Sequence, residues 1–313
     1  MDTERNPPLF EITFLGTSAS APSPKRNLPA YLVQHDEFRF LVDCGEGTQR
    51  QILQSGIGFK RLNRILITHG HLDHILGLGG LLSTFMRWES IDSLEIYGGA
   101  SALERVSDLI YGVVLRGAKP AMPVSLIEVQ PGVIFDAPDF MVTAFPVSHR
   151  GADCYGYLFE EKGRRPFLAE KADELGIPPG PLRGKLVKGE SVTLDSGRVI
   201  TPEMMLGEFR PGTRMAAIGD LGETDSLVNL LQGVDGIVME ATYLDEEKDM
   251  ARQFAHLTAR QAAEFAKQVG AGKLILTHLS RRYRDKDVLT EAQSVFENTS
   301  VARDFDTFTI KRE

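Results

Sequence analysis

Thr68-His69-Gly70-His71-Leu72-Asp73-His74 puts three histidines and an aspartate within six positions. The run before it, Arg64-Ile65-Leu66-Ile67, is short, apolar and β-branched, so a strand delivers the cluster straight into a turn. Packing alone rarely calls for so many histidines together. Imidazole nitrogens and carboxylate oxygens are donors that suit zinc. One ion could not comfortably take all four side chains from so tight a turn. Two adjacent ions could share them, and paired ions suit in-line attack at phosphorus. The bland alternative, a polar turn rich in histidine by chance, does not account for its place at a strand end.

Working outward, the same arrangement recurs. His149 follows the apolar run 141–147, Asp220 follows 215–218, Glu240 follows 236–239 and His278 follows 273–277. In layered α/β proteins such strand ends converge on one edge, where ligands bind. Taken singly, His149 or His278 reads equally well as a satisfied buried histidine; the repetition favours a shared site. Six of the seven histidines, His69, His71, His74, His149, His256 and His278, enter this constellation. His35, beside Asp36, reads instead as exposed in a hairpin turn.

Short β-rich runs predict strands at 10–15, 38–42, 64–68, 94–97, 141–147, 155–159, 215–218, 236–239, 273–277 and 307–311. Helical patterns lie at 74–88, 101–115, 258–269 and 287–298. Ser101 with Glu104, and Thr258 with Gln261, have capping-box spacing. Strands, then helix, then strands again predict an α/β (α+β) layered domain. Residues 161–188 break the pattern with four prolines, four glycines and weak periodicity. They predict a protruding flexible arm at about 160–190, inserted into a single domain spanning 1–313. Seven bases against four acids give those residues +3 in a chain of −8.

The chain has 313 residues, 42% hydrophobic and 25% charged, enough for a sizeable core. A net charge of −8 argues against non-specific nucleic-acid binding over the whole surface, so any RNA contact must be local. Two cysteines, Cys44 and Cys154, make no disulfide framework and read as small core residues of an intracellular protein. Trp88 reads as packing at a helix end. Residues 1–8 carry no signal-peptide pattern. No apolar run approaches the ~18 residues of a membrane span.

His-x-His-x-Asp-His after a strand, followed by a His, an Asp and a His at later strand ends, resembles the metal pattern of the metallo-β-lactamase superfamily. The resemblance implies a four-layer αββα sandwich with its metals at one edge. It implies that His69, His71 and His149 hold one zinc, that Asp73, His74 and His278 hold a second, and that Asp220 bridges them. Finer features resemble the ribonuclease Z family, the tRNA 3′-processing endoribonucleases, over nearly the whole chain. They include Phe14-Leu15-Gly16-Thr17-Ser18, Pro24-Lys25-Arg26-Asn27, Leu41-Val42-Asp43-Cys44-Gly45 and Gly176-Ile177-Pro178-Pro179-Gly180-Pro181. Glu240-Ala241-Thr242, His256-Leu257-Thr258 and His278-Leu279-Ser280-Arg281-Arg282-Tyr283 are similar to its closing motifs. Two features depart from it. Met239 stands where the family has a histidine before Glu-Ala-Thr, and Leu221-Gly222 stands where Thr-Arg is common.

That resemblance implies removal of the 3′ trailer from precursor tRNA by a zinc-dependent endoribonuclease, leaving a 3′-hydroxyl on the tRNA. Asp73 would orient or deprotonate the attacking water. His256 would protonate the leaving 3′ oxygen, with Glu240 fixing its tautomer; an ordinary residue before a helix is the plainer reading of His256. RNA contacts would fall on Lys25 and Arg26, on the arm through Arg164, Arg165, Arg183, Lys185 and Lys188, and on Arg282 and Tyr283. For the arm the plainer reading is a solvated surface. A cytoplasmic homodimer without membrane contact completes the expectation. A small-molecule hydrolase of the same superfamily, such as a phosphodiesterase or lactonase, is the competing reading. A redox di-iron protein is disfavoured because His71 stands where those carry a glutamate. A non-catalytic RNA-binding module is disfavoured because the whole ligand set is present.

Overall fold

The computed structural model describes residues 9–88 and 91–312. Its strands are β1 (Phe10–Gly16), β2 (Ala30–His35), β3 (Phe38–Val42), β4 (Arg64–Leu66), β5 (Leu94–Gly98), β6 (Val124–Glu128), β7 (Gly132–Asp136), β8 (Phe140–Pro146), β9 (Tyr155–Glu161), β10 (Val192–Thr193), β11 (Val199–Ile200), β12 (Arg214–Ala217), β13 (Gly236–Glu240), β14 (Leu274–Thr277), β15 (Thr299–Val301) and β16 (Thr307–Ile310). Two mixed seven-stranded sheets result, ordered β16-β1-β2-β3-β4-β5-β6 and β15-β14-β13-β12-β9-β8-β7.

Alternation along β1 sets the layering. Phe10, Ile12 and Phe14 are buried while Glu11 is exposed, a period of two that turns one face inward. They join Val33, Phe40 and Val42 of the first sheet, and Val142, Tyr157, Phe159 and Val238 of the second, in one apolar layer between the sheets. Each such side chain, fully buried, contributes roughly 1.5–3 kcal/mol. On the outer face of the first sheet, Leu41, Ile65 and Ile96 meet Ile52, Leu81, Phe85 and Val106 from helices. On the outer face of the second, Ile237, Met239 and Leu276 meet Ala262, Phe265 and Ala266 of the helix Ala259–Gln268. Helix, sheet, sheet, helix is the four-layer arrangement that the family resemblance implied.

Each anticipated strand has a counterpart, with ends shifted by up to two residues. β2, β6, β7, β15 and the short pair β10 and β11 were not anticipated. The helix Ala259–Gln268 starts as read: Thr258 Oγ1 accepts from Gln261 N and the Gln261 side chain returns to Thr258 N. Three helical expectations need correction. The segment 101–115 is an α-helix, Ala100–Ser107, capped by Gly99 without a side-chain bond, and it continues as a π-helix, Asp108–Leu115. The segment 74–88 is two helices, Leu72–Ile75 and Gly77–Trp88. A Cβ on Gly77 would meet the Gly45 carbonyl oxygen at 2.0 Å, so only glycine lets the two backbones approach. The segment 287–298 is the helix Asp285–Gln293.

His35 is not exposed. It ends β2 just before the hairpin turn, is 2% accessible, and stacks on Phe140 at 4.5 Å. Cys44 and Cys154 are buried free thiols, and burial pushes the Cys154 thiol up to about 11. Trp88 is half-exposed, with its ring edge on Phe59. Residues 1–8, expected to lack a signal peptide, lie outside the described residues. Among those described, no helix is long and apolar enough to cross a membrane.

Glu161–Gly212 forms a separate compact unit. It contains the helices Ala169–Glu174, Pro181–Val187 and Pro202–Met205 and the antiparallel pair of β10 and β11. Ala172, Ile177, Leu186, Val192, Ile200 and Met205 make its own small core. It therefore runs to Gly212 rather than ending near 190, because half of that cluster comes from residues after 188. Over the full unit nine bases face eight acids, so the anticipated +3 falls to +1.

Candidate metal centre

Strand ends bring the chemistry together. Asp43 follows β3, His69 to His74 follow β4, and His149, Asp220, Glu240 and His278 lie at the ends of β8, β12, β13 and β14. β3 runs parallel to β4, and β12, β13 and β14 run parallel to one another, so their carboxyl ends lie side by side.

His69, His71, His149 and Asp220 offer ligand atoms within 4.8 Å of one another, and so do Asp73, His74 and His278. Asp220 reaches both sets. Its Oδ2 lies 3.7 Å from His69 Nε2, 3.8 Å from His149 Nε2 and 3.6 Å from His74 Nε2. Its Oδ1 lies 3.3 Å from His278 Nε2. Asp73 Oδ2 is 3.7 Å from the Nε2 of both His74 and His278.

These side chains are held from behind. His74 Nδ1 lies 2.7 Å from Asp43 Oδ2. Asp43 also accepts from Thr68 N and from the Thr68 hydroxyl, each at 2.8 Å, and that hydroxyl meets His69 Nδ1 at 3.1 Å. His149 Nδ1 donates to the Ala255 carbonyl at 2.8 Å. His278 Nδ1 meets the Thr242 hydroxyl at 2.9 Å. With the Nδ1 atoms of His69, His74, His149 and His278 engaged, their Nε2 atoms face the centre of the cluster, where His69 Nε2 meets His71 Nδ1 at 2.8 Å.

Burial without partners is costly for polar atoms. The Nε2 atoms of His74, His149 and His278 and Oδ1 of Asp220 are buried, and none has a hydrogen-bond partner among the described residues. All four point into the same cluster, which is the arrangement a cation relieves. The donors are nitrogen and carboxylate oxygen, a set that fits zinc.

Charge follows the geometry. Burial, reinforced by neighbouring histidines, holds His69 well below the ordinary histidine range and lowers His71 to about 4. Burial also lowers His149. For His74, burial is outweighed by the Asp43 and Asp220 carboxylates, which raise it well above that range. Asp220 is buried, yet the histidines around it, His278 and His74 foremost, hold it far down. His256 sits against this cluster, its Nδ1 3.0 Å from both Glu240 oxygens and 3.9 Å from Asp220. Burial there is overcome by Glu240, and His256 is raised.

The other residues anticipated as a site fare differently. Lys25 is exposed. The Arg26 side chain is 12% exposed and is used by the protein, bonding Thr17, the Ala302 carbonyl at 2.7 Å and Asp285 at 2.7 Å. Arg282 pairs with Glu247 at 2.9 Å, and the Tyr283 hydroxyl bonds the same carboxylate. Within the smaller unit Arg183 bonds Ile177 O and Asp173, and Arg165 bonds Gly207 O and Leu206 O. Arg164, Lys185 and Lys188 are exposed. Asp43, Thr68 and Thr242 were not singled out for roles from the sequence. A signal was present for Asp43, which ends an apolar run just as Asp220 does.

A model of the metallo-β-lactamase superfamily matches residues 26–86, and one of a β-lactamase superfamily domain matches 190–279. A protein named ribonuclease Z from Bradyrhizobium diazoefficiens is 46% identical over 95% of this chain and 99% of its own length. Another of that name from Archaeoglobus fulgidus is 43% identical over 95% of this chain and 96% of its own length. The crystal structure of the short form of human tRNase Z is 26% identical and covers 96% of this chain and all of its own, with a TM-score of 0.68.

Proposed function

The chain belongs to the ribonuclease Z family, within the metallo-β-lactamase superfamily, and from that membership we propose how its residues cut the 3′ trailer from precursor tRNA to leave a 3′-hydroxyl. It is a metal-dependent endoribonuclease of tRNA processing. Two zinc ions per subunit are the occupants we assign, with His69, His71 and His149 holding one, Asp73, His74 and His278 the other, and Asp220 shared. Bound there, they supply a water acidic enough to lose its proton near neutral pH and a clamp for phosphate oxygens.

Asp73 orients the attacking water. Its Oδ2 is fixed by the Ser20 backbone N–H at 3.0 Å, and the nearby His74 and His278 outweigh burial and lower it, keeping it an ionised acceptor. His256 holds the proton for the leaving 3′ oxygen. Its Nδ1 is pinned on Glu240, so its other nitrogen is free to give that proton. Glu240 is fully buried and also accepts from the Leu221 N–H at 2.8 Å and from the Thr242 hydroxyl, which fixes its plane. Met239 and the Leu221-Gly222 turn leave this arrangement intact, since Met239 packs in the outer core and Leu221 contributes its backbone N–H.

RNA is held, on this reading, by Lys25 and by the exposed Arg164, Lys185 and Lys188 of the Glu161–Gly212 unit, through phosphate neutralisation and by shape rather than sequence. Arg26, Arg165, Arg183, Arg282 and Tyr283 serve chiefly to shape those surfaces, since the protein already engages them. A homodimer, with this unit of one subunit reaching the tRNA held by the other, is part of the same proposal, as is a cytoplasmic site of action.

The observation that carries the proposal is the group of buried, unpartnered ligand atoms beside the His256–Glu240 pair. The test is cleavage of a precursor tRNA bearing a 3′ trailer, with the product end mapped, in zinc and after chelation. A zinc-loaded protein that leaves the trailer in place, or cleavage unaffected by chelation, would refute it.

A further inference from the structure

The Thr242 hydroxyl stands between the two halves of this chemistry. Its side chain is buried, 4% accessible, two residues beyond Glu240 at the end of β13. β13 and β14 pair with Glu240 opposite Thr277, which brings Thr242 against His278. On one side Oγ1 is 2.9 Å from His278 Nδ1. On the other it makes a short hydrogen bond to Glu240 Oε2. It also lies 3.1 Å from the His278 carbonyl.

A hydroxyl has one proton to give and lone pairs to receive. The proton goes to the Glu240 carboxylate. The hydroxyl must then accept from His278, which fixes the His278 tautomer with the proton on Nδ1 and the lone pair on Nε2. That Nε2 is the buried atom aimed at Asp220 and left without a hydrogen-bond partner. His278 also holds φ +55, a left-handed backbone uncommon outside glycine. With its proton on Glu240, Thr242 holds His278 through the ring Nδ1 alone, and the 3.1 Å approach to the His278 carbonyl is a packing contact. On the far side, Glu240 depends on Thr242 and the Leu221 N–H to present its oxygens to His256.

We propose that Thr242 is a positioning residue that fixes the metal-facing tautomer of His278 and, through Glu240, the orientation of the proton donor His256. One hydroxyl thereby couples metal holding to leaving-group protonation. The inference rests on the proposed reading of this cluster as a zinc site with His256 as the acid.

Thr242→Val keeps the shape and removes the hydroxyl, whereas Thr242→Ser keeps the hydroxyl. Both are compared with wild type in the full chain. Zinc affinity is read by competition with a chelator, and turnover is read on a trailered tRNA and on bis(p-nitrophenyl) phosphate, whose nitrophenolate leaves without needing a proton. Thr242→Val should bind zinc about 10–100-fold more weakly, as loss of such supporting bonds does elsewhere. At saturating zinc it should recover most turnover of the nitrophenyl ester yet remain low in kcat on tRNA, with KM little changed. Thr242→Ser should restore zinc affinity and tRNA turnover together. Wild-type zinc affinity in Thr242→Val, equal loss on both substrates at saturating zinc, or a serine variant as impaired as valine would overturn the proposal. If Thr242→Val melts before it can be assayed, serine against alanine decides by the same readouts. A wild type that binds zinc but leaves tRNA uncut counts against the functional reading alone, and the zinc measurement still decides on Thr242.

Discussion

His74 Nδ1 and Asp43 Oδ2 lie 2.7 Å apart across 31 residues of chain, at the ends of two neighbouring parallel strands. Both Asp43 oxygens accept, one from Thr68 N and the other from the Thr68 hydroxyl and His74. An amide there must turn its NH2 towards one of these donors. Asp43→Asn should therefore lose roughly 1–3 kcal/mol of metal-free stability, the usual cost of leaving a buried polar group unpaired. Zinc affinity should fall by about 10–100-fold. Urea unfolding and chelator competition measure the two losses; unchanged zinc affinity would show that Asp43 does not orient His74.

Zinc binding should release a proton near neutral pH, and His74 should supply it. Its carboxylate neighbours outweigh burial and raise it, so the metal-free ring is charged at pH 7 and must give up the Nε2 proton to bind a cation. His69, His71 and His149 are lowered, His71 to about 4, so they are already neutral at that pH and release nothing. Titration calorimetry in buffers of different ionisation heat should show net proton release on zinc binding at pH 7. Release should fade once pH rises above the raised value of His74, and should grow as pH drops towards 4 and His71 joins it. A zinc-binding heat independent of buffer at pH 7 would contradict this assignment.

The cluster was legible because polar residues at the ends of apolar runs share an edge whenever the strands of a sheet point the same way, as β12, β13 and β14 do, and that can be anticipated without knowing strand order. What sequence cannot supply is a partner far along the chain. Arg26 reads as a free cation for RNA until Asp285, 259 residues on, is found against it. His35 reads as a turn residue because nothing local announces Phe140 stacked on it. β7 escaped notice because its side chains are exposed or half-buried and show no inward alternation. The helix from Ala100 looked uniform because its apolar spacing is helical throughout, while the change to π geometry at Asp108 has no marker in residue type.

His256→Ala tests the acid directly. The side chain lies beside the metal cluster, but its Nδ1 is committed to Glu240 rather than turned to a cation. Zinc content should stay at the wild-type level. Turnover on trailered tRNA should fall about 10²–10⁴-fold, the usual contribution of general acid catalysis, and a nitrophenyl ester should be much less affected. Equal losses on both substrates, or lost zinc, would make His256 part of the metal site instead.

The Glu161–Gly212 unit can be removed at its base. Glu160 and Arg214 are register partners across β9 and β12, so the chain leaves and re-enters at neighbouring points of one antiparallel pair. Deleting 161–213 and joining Glu160 to Arg214 through a two-residue Asn-Gly turn, which suits such a hairpin, should leave the metal centre folded. Deleting only 161–188 should fail, because Val192, Ile200 and Met205 would keep their apolar surface and lose Ala172, Ile177 and Leu186. The longer deletion should keep zinc content and nitrophenyl ester turnover near wild type while raising KM for precursor tRNA at least tenfold, and its binding should show a shallower salt dependence, since phosphate contacts are lost. A KM within error of wild type would mean that the basic side chains of this unit, nearly balanced by its own acids, face solvent rather than RNA.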